Sequence, residues 1–487
     1  MKESNASRSI EQGQMSLDLG LGKRIEAKFD GGDVCSDGGL LLLRKADNRT
    51  ELCEFGALAF PDRRRPDLVQ HTVLDMLRQR VYAIAAGYED CNDANALSHD
   101  RMHLLAVSKP LEGSRLASQP TLSRFEGMAS AAVNSALQDL LVHQFIRSRK
   151  KKPKVVRLSM DTTCDEVFGF QQMSFWNGYY QAFCYAPLFI FSDCGFPLCA
   201  LLRPGNPNPI DDAVRMLKRI ISILRKKWPS VRIKLSADAA FASQQLFEFC
   251  ENSDVTYYIA AAGHPGLTYH ARPLVEKCKD EFDEFGYSSP DLKPHLATVD
   301  LKQRRLEWRK REERIRFSTK EEGRMQEHFE DDLHVRKYSE FRYQSKEWTK
   351  ERRFIVRCHY TSDGPDVRYV VTNQTGGKAR RIYDEEYCSR SQCENWIKDL
   401  KTYLKCDRTS CQEFEMNQLR LFLHTFAYIL IWTVRTAGRL RNMTAHTFQL
   451  RMLKIGVIVS ETSRKVRLLL ASNHPAQAEF VEAWNAL

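Results

Sequence analysis

The sequence predicts an α/β protein built on a mixed sheet, because β-branched runs alternate with amphipathic stretches of helical period between residues 155 and 261. Residues 155–160 (VVRLSM), 179–191 (YYQAFCYAPLFIF) and 196–202 read as three strands. The run Pro204, Gly205, Asn206, Pro207 then signals a turn. Residues 211–227 form an amphipathic helix, capped at its start by Asp211. Val231, Ile233, Leu235 and Ala237 alternate as a fourth strand, 244–252 reads as helix, and 255–261 as a fifth strand. Three strands, a helix, a strand, a helix and another strand is the order of an RNase H-like fold.

That order gives two aspartates a meaning. Asp161 closes the first strand and Asp238 the fourth. In this fold class those strands are parallel neighbours near the middle of the sheet, so both carboxylates stand at its edge, where α/β sites gather. Two bare carboxylates that close repel, and both stay ionised only if cations bridge them. Taken singly, each Asp reads as simply as a strand end or a cap. Asp165, Glu166, Asp193, Asp211 and Asp212 are further acids nearby; Asp211 and Asp212 open a helix, where capping is the simpler account.

The flanks are helical. Residues 1–25 are polar and predict an arm or an edge strand. Residues 67–87 show apolar periodicity with His71, Arg78 and Arg80 interleaved, a short helix starts near Thr121 with Arg124 and Glu126 in its first turns, and 129–146 is another helix. The basic run 147–154 (RSRKKKPK) marks a domain boundary. The expected layout is a helical N-terminal domain over 1–150, a core over 151–265 and 368–410, a charged β-rich insertion over 266–367, and a helical C-terminal region over 411–487. The insertion carries the run 302–316 (KQRRLEWRKREERIR), the aromatic Trp348 and two strand signals. Residues 450–459 and 466–470 fit short strands or short helices equally well.

The chain has 487 residues, a formal charge of +11 and a pI near 8.9. That favours a polyanionic partner without demanding one. Fourteen cysteines occur with no CxxC pair or zinc-finger spacing, and read as reduced thiols of a cytosolic protein. No signal peptide is visible. The most apolar run, 425–434 (TFAYILIWTV), is far short of the roughly 20 residues needed to span a bilayer and predicts a buried helix, so no membrane is expected.

Residues 387–401 (YCSRSQCENWIKDLK) have few breakers and predict one helix. At about 100° per residue, Tyr387, Arg390, Glu394 and Lys401 share a face, beside an apolar face of Cys393, Trp396, Ile397, Leu400 and Leu404. A carboxylate flanked by cations suits a metal ion next to a phosphate chain. On spacing alone, an ordinary solvated face with i,i+4 ion pairs is the simpler reading.

The spacing Tyr387-(2)-Arg390-(3)-Glu394-(6)-Lys401 resembles the Y-R-E-K signature of IS4-like DDE transposases, and the wider chain resembles the IS1380 family. The supporting stretches are SDGGLLLLRKAD (36–47), LRQRVYAIAAGYEDCNDANAL (77–97), TLSRFE (121–126), LSMDTTCDEVFG (158–169), LSADAAFA (235–242), RYVVTN (368–373) and CENWIKDLK (393–401). Asp165 matches no family position, and Ala239 follows Asp238 where many relatives have Ser or Gly. The resemblance implies an enzyme that binds the terminal inverted repeats of its insertion sequence, cuts double-stranded DNA at the ends and joins the 3′-OH ends to target DNA. It implies Asp161, Asp238 and Glu394 as ligands of two Mg²⁺ ions, or Mn²⁺, performing in-line phosphoryl transfer. It further implies Tyr387, Arg390 and Lys401 as phosphate contacts and a homodimer on DNA, in the bacterial cytoplasm at the nucleoid. Arg124 is the expected contact residue of the N-terminal domain, and Trp348 of the insertion. The alternatives are an RNase H-like nuclease or resolvase, and a non-catalytic DNA-binding protein derived from a transposase.

Overall fold

A computed structural model describes residues 15–17, 25–27, 31–288, 334–361 and 363–487. The chain divides into two compact units. One comprises residues 1–148, 165–174 and 398–487, and the other 149–164 and 175–397.

The second unit holds an eight-stranded mixed sheet. Its strands in chain order are β1 (Val155–Thr162), β2 (Leu188–Ser192), β3 (Pro197–Leu201), β4 (Arg232–Ala237), β5 (Val255–Ala261), β6 (Val335–Tyr343), β7 (Arg352–Thr361) and β8 (Gly364–Thr372). Across the sheet they run β6-β7-β8-β5-β4-β1-β2-β3. β1, β4 and β5 are parallel, and β2 runs antiparallel to β1. The central strands are buried nearly throughout, as expected where both faces are covered.

Several expectations are adjusted. The predicted strand 179–191 is two pieces: Ala182–Tyr185 pairs with Phe175–Asn177 in a small hairpin, and Leu188–Ser192 joins the main sheet. Pro187 cannot donate a ladder hydrogen bond and falls at the break. The helix Pro209–Lys227 starts two residues early and is capped by Asn208, not Asp211; the Asn208 side chain accepts from the Ile210 and Asp211 amides. Within 266–367 the chain forms a long helix, Pro265–Ser288, and the hairpin strands β6 to β8, which hydrogen-bond to β5 and widen the same sheet. The basic run 302–316 lies outside the described residues.

The first unit is helical around Phe414–Ala437, whose apolar stretch is almost wholly buried. Leu40–Thr50, Val73–Ala85 and Ala131–Arg147 pack on it. Among the described residues no helix is long and apolar enough to cross a membrane. Residues 457–462 and 465–470 resolve as strands, a hairpin whose first strand also pairs with Val34–Cys35. The helix starting near Thr121 spans Gln119–Glu126, so Thr121 sits inside it and Ser118 precedes it.

Acidic residues of the N-terminal motifs are buried structural hubs. Asp37 accepts from Tyr88, His103 and Lys454. Asp47 accepts from Arg78 Nε at 2.9 Å, the Tyr82 hydroxyl at 2.7 Å and the Cys53 amide at 2.9 Å. Glu126 accepts from Arg80 Nε at 3.0 Å and Arg420 Nε at 2.8 Å. A buried charge persists only when paired in this way. Arg78 and Arg80 are therefore internal partners.

Candidate active site

β1 and β4 are in register, with Leu235 opposite Leu158, Ser236 opposite Ser159 and Ala237 opposite Met160. Asp161 and Asp238 are the next residues along each strand, so the alternation of side chains puts both on one face. Asp161 is buried, and its Oδ1 accepts from the Thr162 amide at 2.9 Å. Asp238 leaves the end of β4 and caps the short turn Ala239–Phe241, accepting from the Ala240 amide at 3.1 Å.

The segment 382–403 is helical but not uniform. It runs as wide turns over Ile382–Tyr387, a tight turn over Cys388–Arg390, α-helix over Ser391–Lys398 and wide turns again over Asp399–Tyr403. A constant 100° per residue therefore does not describe it, and the expected single helix is corrected to this broken one. Its inner face is as expected in part: Cys393 and Ile397 are buried, the Cys393 thiol faces the Ser159 carbonyl, and Trp396 packs on Phe191 at 5.4 Å between ring centres.

Arg390 joins the acids. Its Nη1 donates to Asp161 Oδ2 at 2.8 Å and its Nη2 to Glu394 Oε1 at 3.2 Å. Burial pushes Asp161 up to about 6; Arg390 opposes this, and the charges of Asp238 and Glu394 add to it. Burial likewise raises Asp238, against Arg390 and the Ala240 amide, with Glu394 adding to the rise. Burial disfavours the Arg390 charge, yet Asp161, Tyr387, Asp238 and Glu394 hold its pKa above the ordinary value. The three carboxylates thus act on one another electrostatically, and one guanidinium neutralises part of their charge. Glu394 is 64% exposed at its side chain, the most accessible of the three.

Of the residues singled out from sequence, Asp161, Asp238, Tyr387, Arg390 and Glu394 come together in the sheet-bearing unit. Tyr387 feels the charge of Arg390 and lines a recess of about 230 Å³ with Ala239, Gly263, Arg368, Tyr369 and Tyr383. Lys401 belongs to the helical unit, where its ammonium stands 3.3 Å from Oδ1 of the buried Asp165. Arg124 is exposed and reaches Thr121 Oγ1 at 3.3 Å. Trp348 is half-buried in an aromatic group, stacked on Phe354 at 5.8 Å and edge-on to Phe247 at 5.2 Å, with the Arg352 guanidinium over its ring.

Sequence reasoning missed Glu386. Its Oε1 accepts from Lys234 Nζ at 2.6 Å and its Oε2 from Arg157 Nε at 3.4 Å, while its carbonyl accepts from Ser236 Oγ at 3.2 Å. Its carboxyl, which burial alone would raise, is held below the usual range by Lys234 and Arg157. The available signal was the pair of isolated cations, each four residues before an Asp on an apolar strand.

Fold and site together define a mixed α/β protein with an acidic cluster at the carboxyl end of two central parallel strands. The chain belongs to the family described as transposase DDE domain group 1, whose model matches residues 17–487. A solved structure, the cryo-EM structure of a piggyBac transposase synaptic complex with hairpin DNA, is similar over 86% of this chain and 79% of that chain, with 9% identity and a TM-score of 0.37. No curated protein gives a significant match to the chain.

DDE transposases generally use divalent metal ions. The donor set here is carboxylate oxygen, which fits a hard cation such as Mg²⁺ or Mn²⁺. Among the described residues no three His, Cys, Asp or Glu side chains close around one point, and Arg390 stands between Asp161 and Glu394.

Proposed function

We propose that this protein is a transposase of the IS1380 kind, which binds the terminal inverted repeats of its element, cuts the DNA at the ends and joins the 3′-OH ends to target DNA. The observation that carries the reading is that Asp161 and Asp238 each follow the in-register pair Met160 and Ala237 of adjacent parallel strands, with Glu394 tied to Asp161 through Arg390. The strand order β5-β4-β1-β2-β3, with β2 reversed, supports an RNase H-like core.

In this reading Asp161, Asp238 and Glu394 would hold the divalent metal, which would supply Lewis-acid stabilisation of the phosphate and lower the pKa of a water. The family resemblance implies two such ions per site. Arg390 and Tyr387 orient the scissile phosphate from the same segment as Glu394, and Arg390 compensates the carboxylate charge before DNA arrives. Lys401 and the exposed Arg124 add backbone contacts, and Trp348, which packs on Phe354 and Phe247, braces the turn between β6 and β7. The charge of +11 supplies non-specific affinity for duplex DNA at the nucleoid. Processing both ends of one element calls for two copies on DNA.

The test is binding to a duplex that carries the repeats flanking the gene. A mobility shift that survives competition with scrambled duplex supports the reading. Equal competition by both duplexes favours a nuclease without end specificity.

A further inference from the structure

We propose that Glu386 is a positioning residue that sets the register of the Arg390–Glu394 segment on β1 and β4, and thereby the place of the third carboxylate for a divalent cation. The inference rests on reading Asp161, Asp238 and Glu394 as one metal site.

Two rows of charge match. Arg157 and Lys234 are paired across β1 and β4, as are Ser159 and Ser236. Two residues further along each strand stand Asp161 and Asp238. Every second residue of a strand shares a face, so the two strands present cations, then hydroxyls, then acids. Along the segment, Glu386 and Arg390 each reach the two strands, and Arg390 in turn reaches Glu394. Glu386 meets the cations: Lys234 Nζ at 2.6 Å and Arg157 Nε at 3.4 Å. Arg390 meets Asp161 at 2.8 Å. Between them, the Cys393 thiol faces the Ser159 carbonyl and Ser236 Oγ donates to the Glu386 carbonyl.

The rows fit in one register only. A shift of one turn in one direction would set Glu386 against the two aspartates, and in the other it would set Arg390 against Arg157 and Lys234, so either places like charges together. The two contacts also differ in what a cation does to them. A divalent cation at Asp161 competes with the Arg390 guanidinium for the same oxygens. The Glu386 contact is four residues from either aspartate and does not compete, so it is the electrostatic tie that keeps Glu394 in place once Arg390 is displaced. Glu386 is 12% exposed at its side chain, which limits screening of the tie by solvent.

The experiment uses the full chain, without DNA for the Mn²⁺ binding and with the repeat duplex for cleavage. Mn²⁺ binding is followed by electron paramagnetic resonance at a temperature where circular dichroism shows every variant folded. Wild type, E386Q, E386D, R157Q and D161N are compared, alongside the Mn²⁺ concentration that half-saturates cleavage. Partners behind the ligands of a metal site typically contribute 10–100-fold in affinity. E386Q is expected to bind Mn²⁺ about 10-fold more weakly, to shift the half-saturating concentration by the same factor, and to bind DNA as wild type does. E386D should recover part of the loss, and R157Q, which removes the longer contact and leaves Lys234 in place, should show a smaller loss. Wild-type Mn²⁺ affinity in E386Q, or in R157Q should E386Q not fold, overturns the proposal. If D161N binds Mn²⁺ as wild type does, the reading of the carboxylates itself fails, and the positioning role with it.

Discussion

Arg390 Nη1 lies 2.8 Å from Asp161 Oδ2, and the same guanidinium reaches Glu394. A side chain on the helical segment thereby compensates an acid at the end of a central strand. Both Arg390 and Asp161 are largely buried, so removing one leaves the other poorly solvated. Arg390→Ala should lower unfolding stability by about 2–3 kcal/mol in chelator, since breaking a fully buried pair costs about 3–5 kcal/mol and this one is partly solvated. Added Mn²⁺ should restore most of that loss by replacing the missing charge. Urea unfolding with EDTA and with Mn²⁺ measures both; an equal cost in the two conditions would mean that Arg390 does not stand in for a cation.

Glu126 links Arg80 and Arg420 inside the helical unit. Burial pushes its carboxyl up, but Arg80 and Arg420 outweigh this and hold it below its ordinary value of 4.5. Its stabilising contribution is therefore present above the unfolded pKa and is lost as pH falls through the lower folded one. Glu126→Gln should cost about 3–5 kcal/mol at pH 7, with the gap to wild type shrinking below about pH 4. Guanidinium unfolding at the two pH values checks this, and a gap independent of pH would speak against the charge pairing.

Asp165 is fully buried beside Lys401. Burial lifts its carboxyl from 3.8 to about 7, with Lys401 opposing and Asp407 adding to the rise. The folded state thus binds a proton more tightly than the unfolded state, so this residue favours folding below about pH 4 and loses that contribution as pH rises through about 7. Asp165→Asn should be as stable as wild type at pH 8, or more stable by about 1–3 kcal/mol, and should flatten the stability profile over that window. Melting curves between pH 4 and pH 8 decide; a clear destabilisation at pH 8 would show the ion pair to be net favourable.

The strands around Asp161 and Asp238 were legible because β-branched alternation survives on buried strands and each run ends at an acid. The helix Gln244–Asn252 and the strand Val255–Ala261 match their predicted limits, and the apolar run 425–434 is the buried helix it suggested. Local features depending on geometry were less legible. Gln181, with a positive φ of 53°, turns the small hairpin that splits residues 179–191. The wide and tight turns around Tyr387 and Arg390 depend on contacts with β1 and β4 that periodicity does not encode. Glu386 finds its partners 152 and 229 residues away. Arg80 and Glu126 stand on separate helices 46 residues apart, and the periodicity of neither helix pairs them.

The most direct test of the catalytic reading is cleavage of an end-labelled duplex carrying the flanking repeats, in Mg²⁺, by wild type and by Glu394→Gln. Nicking at the repeat boundary by wild type is expected, with a loss on the order of 10³-fold or more in Glu394→Gln and DNA binding by the variant within about threefold of wild type. Equal cleavage by the two proteins would remove Glu394 from the metal site and contradict the central claim.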